Sequence, residues 1–171
     1  WNPWLSGCPL QDSDLVHLTG VLTPLPSTEK TYPYYDRLYG DNGNGRALTV
    51  LYFVGIDENW QGDDLGRDVF RQAEELLKKA GFAIDEPTSS ARQRFLTLDQ
   101  RDYDVRLELA LVNADNDQFV KDAARGLETA DVFVYSGHSG LGTFLDPARF
   151  AEVLHRPLRL PVEKSQVFFF D

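Results

Sequence analysis

The chain has 171 residues, 42% of them hydrophobic and 12% aromatic, enough for a self-sufficient core and too apolar for wholesale disorder. Its 17 basic and 27 acidic residues leave a net charge of −10, which excludes a general binder of nucleic-acid phosphates. No apolar run reaches the roughly 18 residues of a transmembrane helix, so no membrane span is expected. The one cysteine, Cys8, excludes an internal disulfide framework and a cysteine-rich zinc site. The histidines, His17, His138 and His155, are widely spaced, so no metal site and no cofactor are expected. The chain has no methionine and is expected to be a processed product or a piece of a longer polypeptide.

Residues 1–45 differ in texture from the rest and read as an extension packed on the core. They hold five of the nine prolines: Pro3, Pro9, Pro24, Pro26 and Pro33. Leu5-Ser6-Gly7-Cys8 fits the short lipobox of bacterial lipoproteins, without the charged and apolar signal region that precedes a real one. A small cysteine in an N-terminal loop is the plainer reading, and an extracytoplasmic location is favoured. Gly40 to Gly45 (GDNGNG) signals a loop, because glycine and asparagine tolerate positive φ. It lacks the GxxxxGK[ST] pattern of a phosphate cradle.

Residues 46–171 read as an α/β domain, incomplete at its C-terminus. Ala47 to Ile56 is nearly continuous apolar sequence, as in a strand buried on both faces. A loop from Asp57 to Gly62 leads to a helix capped by Asp63, with Leu65, Val69, Ala73, Leu76 and Ala80, plus Phe70 and Leu77, on its apolar side. Gly81 ends that helix and Phe82 to Ile84 forms a short strand. Phe95 to Leu98 and Tyr103 to Leu111 form a hairpin, the second strand alternating apolar residues with Asp104, Arg106 and Glu108, so one face is expected to be wet. Asp115 or Asn116 caps a helix containing Phe119, Val120, Ala123, Ala124 and Leu127. Asp131 to Tyr135 is a buried strand. Asp146-Pro147 opens a helix with Phe150, Val153 and Leu154 inward. Gln166 to Phe170 is the last strand, apolar enough to be interior. Strands alternating with helices imply a mainly parallel sheet with helices on both faces, a three-layer α/β sandwich. In such sheets the functional residues lie beyond the carboxyl ends of the strands.

One such end reads Ser136-Gly137-His138-Ser139-Gly140-Leu141-Gly142. Histidine titrates near neutrality, so a histidine between glycines at a strand end can exchange protons with a closely approaching substrate. The backbone N–H groups of the turn, at Ser139 and Gly140, could stabilise an oxyanion. A glycine-rich loop whose histidine bonds only locally remains open on spacing alone.

With this segment, roughly residues 46–171 resemble the caspase-like (clan CD) cysteine peptidases of bacterial type, the group that includes caspases, legumain, gingipain and clostripain. Val132 to Gly140 matches the buried strand and S-G-H-G turn that carry the family's catalytic histidine, with Ser139 in place of the usual glycine. The hairpin suits the family too. The resemblance implies a peptide or protein substrate and a His-Cys dyad. It places the nucleophilic cysteine just after the strand Gln166 to Phe170, beyond Asp171, in a continuation or second chain. Cys8 precedes the first strand of the sheet and is a poor substitute. The resemblance also brings the loop after the first strand to the substrate, giving Asn59 and Gln61 substrate-binding roles. That loop is acidic and lacks arginine, so a basic residue before the cut is favoured over an acidic one. Two alternatives stay open: a non-catalytic caspase-like binding module, and an α/β-hydrolase with Ser139 as nucleophile. The hydrolase elbow needs glycine where Leu141 stands and a helix starting at once.

Overall fold

The computed structural model describes residues 40–41, 46–56, 65–99, 103–138, 140–161 and 165–170, all within one compact unit. Except for Gly40 and Asp41, the expected packing of residues 1–45, Cys8 included, lies outside the described residues. The elements run β1 (Gly40–Asp41), β2 (Arg46–Gly55), α1 (Leu65–Lys79), β3 (Ala83–Ile84), β4 (Gln93–Asp99), β5 (Tyr103–Val112), α2 (Asp117–Thr129) and β6 (Val132–Ser136). A 3-10 helix (Gly140–Leu145), α3 (Pro147–Leu154) and β7 (Val167–Phe170) follow.

The strands form one sheet in the order β3-β4-β5-β2-β6-β7, with β1 on the end of β2. β5, β2, β6 and β7 are parallel, and β3, β4 and β1 are antiparallel additions. The expected mainly parallel α/β sheet is therefore present. The loop signal at Gly40 to Gly45 is narrower than the sequence suggested, because Gly40 and Asp41 pair with Ala47 and Arg46.

Strand alternation divides the core into two layers. Leu51, Phe53, Ala110, Phe133 and Tyr135 face α2 and α3 with Phe119, Val120, Ala123 and Phe150. Val54, Leu96, Leu107 and Leu109 face α1 with Phe70. The four phenylalanines of the first layer, Phe53, Phe119, Phe133 and Phe150, are fully buried, each contributing about 2–3 kcal/mol of apolar transfer. The crossovers β2-α1-β5 and β5-α2-β6 use opposite faces, so the chain reverses direction across the sheet at β2, and the crevice such a reversal opens lies beyond the carboxyl ends of β2 and β6.

Three helix ends carry their local signals, while the Asp63 cap expected for α1 lies outside the described residues. Asn116 is the N-cap of α2, its Oδ1 accepting the Phe119 N–H at 2.9 Å. Asp146 caps α3 by accepting the Ala148 N–H at 2.9 Å, with Pro147 in the first turn. Gly81 follows α1 at φ 96°.

Two expectations are corrected. The buried side of α1 is not the stripe through Leu65 and Leu76, which are 75% and 65% exposed. Gly66 lies against the Gly55 carbonyl, where an added Cβ would come within 2.1 Å of the oxygen, and this close seat turns Gly66, Phe70, Ala73 and Leu77 to the sheet. Leu65 and Leu76 fall about 100° away around the helix. Nor is the polar face of β5 wet throughout. Arg106 is exposed, but α2 covers Glu108, which is 8% exposed and held by Arg125 at 2.8 and 2.9 Å and by the Gln93 amide at 2.7 Å. At the other end of the described sheet, β7 pairs among the described residues with β6 alone, and Phe168, Phe169 and Phe170 are exposed.

Buried polar bonds fix the register of this half. The Asp131 carboxylate accepts the Thr49 N–H at 2.7 Å, tying the start of β6 to β2. The Gln166 amide donates to the carbonyls of Leu127 and Ala130 at 3.0 and 2.6 Å, setting β7 against the end of α2.

Candidate functional site

The site is built from β6 outward. Phe133 and Tyr135 point to the α2 layer. The Phe133 ring meets Phe53 edge-on at 5.4 Å, and Tyr135 tilts against Phe119 at 5.2 Å. The helix approaches closely here because Gly126 has no side chain to hold it off: an added Cβ would lie 2.5 Å from the Phe133 ring.

Beyond Tyr135 the chain leaves the sheet through Gly137. The Val54–Ser136 pair is the last in register, so Gly55 and Gly137 are the next residues on the two strands. Each is a glycine for a steric reason. A Cβ on Gly137 would stand 2.9 Å from the Gly55 Cα, and one on Gly55 would stand 2.9 Å from the Tyr135 hydroxyl. That hydroxyl donates to the His138 carbonyl at 2.8 Å. Burial first, and then the Asp115 carboxylate, push the Tyr135 phenol up to about 12 against the opposing charge of Arg149, so it stays a protonated donor.

His138 itself is exposed. It therefore stands at the carboxyl end of an interior strand, as the sequence suggested, on a backbone tied back to the core. Gly140 opens the 3-10 helix at φ 56°, a conformation glycine adopts without strain, and the Thr143 hydroxyl donates to its carbonyl at 2.7 Å. The α-helix after the turn begins only at Pro147. Ser139, Asn59 and Gln61 lie outside the described residues.

The sequence did not signal a second feature at this end of the molecule. Asp115, Asp117, Phe144, Arg149, Glu152 and His155 line a cavity of about 480 Å³. Arg149 anchors its wall, donating to the Ala114 and Asn116 carbonyls at 2.8 and 3.3 Å and lying 5.6 Å over the Phe144 ring. His155 ends α3 in the left-handed region at φ 54°. Nothing in sequence spacing links the loop before α2 to a helix some 30 residues later, so only the packing of α3 on α2 reveals this cavity. Among the described residues, no group of three or more His, Cys, Asp or Glu is arranged to hold a metal ion. No helix among them is long and apolar enough to cross a membrane.

No family model, curated protein or solved structure matches the chain.

Proposed function

We propose that the protein is a caspase-like cysteine endopeptidase in which His138 serves a thiolate borne by a cysteine just beyond Asp171. The observation that carries this reading is the register of β6 and β7. The two strands are parallel, with Tyr135 opposite Phe170. If that register continued for two or three residues, the residues after Asp171 would run beside Gly137 and His138, one strand spacing of about 4.8 Å away. A cysteine there would be within reach of the imidazole.

In this mechanism His138 takes the thiol proton and the thiolate attacks the scissile carbonyl. The N–H groups of Ser139 and Gly140 stabilise the oxyanion. His138 then gives its proton to the departing amine, and water, deprotonated in turn by His138, releases the acyl group. Asn59 and Gln61, in the segment that follows β2 in the chain, are the residues this reading assigns to the substrate.

The test uses the full gene product. His138→Ala is expected to abolish hydrolysis of peptide substrates while the far-ultraviolet circular dichroism and thermal midpoint stay those of the parent. Turnover near the parental rate would remove His138 from the mechanism, and a gene product without cysteine shortly after Asp171 would end the dyad reading.

A further inference from the structure

We propose that Tyr135 is a positioning residue for His138: its hydroxyl, seated over Gly55 and Gly137, fixes the backbone from which the imidazole projects. The inference rests on the peptidase reading for its catalytic consequence and on geometry alone for the positioning itself.

The argument begins with packing. Tyr135 is 3% exposed, and its ring lies against Phe119 in the core. Phenylalanine would fill that place as well. The hydroxyl adds a buried polar atom, which costs about 1–3 kcal/mol if it is left without a partner. Its partner is the carbonyl of His138, three residues on, at 2.8 Å. The bond therefore closes a ring over Gly137 that holds the end of β6 in one conformation.

The surroundings give the hydroxyl little room to move. Tyr135, Gly137 and Gly55 lie on one side of the sheet by strand alternation and register. With no side chain on either glycine, the phenol passes along the sheet to the turn. An added Cβ on Gly55 or Gly137 would come 2.9 or 3.0 Å from the hydroxyl oxygen. At Gly137 the same Cβ would also meet the Gly55 backbone at 2.9 and 3.1 Å, so no side-chain rotation relieves it. Two glycines at adjoining strand ends and a tyrosine between them thus form one interlock, and His138 is the first residue beyond it.

A hydroxyl that only satisfies itself and one that positions His138 predict different results. In the intact protein, Tyr135→Phe removes one oxygen and keeps the ring. The carbon-bound imidazole resonances of His138 in a 1H–13C spectrum are expected to shift and broaden, and kcat on a peptide substrate to fall about ten-fold or more with KM within two-fold. Gly55→Ala displaces the hydroxyl by another route and is expected to move the same resonances, and to add little in the Tyr135→Phe background. Gly126→Ala, which strains the same layer of the core away from the turn, is the control. It should lower stability and leave the His138 resonances in place.

Unmoved His138 resonances in Tyr135→Phe and Gly55→Ala overturn the inference, as does a shift that Gly126→Ala reproduces. Moved resonances in a gene product that His138→Ala leaves fully active would sustain the positioning and sink the peptidase reading, so the two failures are separable.

Discussion

Replacing Gly126 by alanine sets two effects of opposite sign against each other. In the middle of α2 the change favours the helix by about 1 kcal/mol, because glycine loses more backbone freedom than alanine. Against it stands the Phe133 ring. The new methyl carbon would fall 2.5 and 2.9 Å from two ring carbons and 3.2 Å from a third, far inside contact distance. The ring has nowhere to retreat: it is fully buried, with Phe53 at 5.4 Å on one side and Phe170 at 6.1 Å on another. Overpacking of this kind costs about 1–3 kcal/mol, and two contacts below 3 Å put it at the upper end. The net expectation is a loss of about 1–2 kcal/mol, or roughly 2–8 °C in thermal midpoint for a chain of this size. Urea unfolding followed by circular dichroism measures it. Adding Phe133→Leu to Gly126→Ala should cost less than the two single losses combined, because the smaller side chain admits the methyl group. A Gly126→Ala protein as stable as the parent, or more so, would refute the close approach of α2 to β6.

Arg156 is bidentate on Glu128 at 2.5 and 2.7 Å, and this hydrogen bonding holds the carboxyl below its ordinary value against burial, helped by the Arg159 N–H. A carboxyl lowered in the folded state stabilises above its unfolded value, about pH 4.3, and loses that contribution as pH falls through the folded value. Glu128→Gln is therefore expected to be less stable than the parent at neutral pH and to converge with it in acid; a pH-independent gap in urea midpoints would contradict the linkage. Arg125→Ala leaves the buried Glu108 carboxylate without its cation and should cost about 2 kcal/mol, less than for a wholly buried pair because Arg125 is half exposed. Replacing Glu108 and Arg125 together by leucine should recover most of that loss, and thermal melts in which the double variant is the worse of the two would show that the pair stabilises by more than mutual neutralisation.

Much of the fold was legible because its signals are local. The nearly continuous apolar run of β2 marks a strand covered on both faces, Asn116 and Asp146 cap helices by their own side chains, and the alternation of β5 gives the hairpin. What failed depends on contacts between distant elements. The side α1 turns inward is set by a glycine-to-carbonyl contact between Gly66 and Gly55, which hydrophobic spacing does not record. Glu108 looked solvated because its cover, α2, comes later in the chain and supplies Arg125. At the site, His138 was visible as a residue type at a strand end. The tie from Tyr135 to its carbonyl was not, because a tyrosine at the end of an apolar strand reads first as core.

The parallel pairing of β2 with β6 has a consequence for synthesis. Asp131 holds Thr49 across 82 residues of chain. At about 5–20 residues per second, a ribosome needs some 4–16 s to make that interval. Throughout that time the apolar segment Arg46–Gly55 has been made and its β6 edge is still unpaired. The β4–β5 hairpin, whose last pair is Asp99 with Asp104, completes earlier and brings β5 to the other edge. A nascent chain arrested before Asp131 should therefore be a substrate for chaperones that hold extended apolar segments, and release should coincide with the emergence of Val132–Ser136.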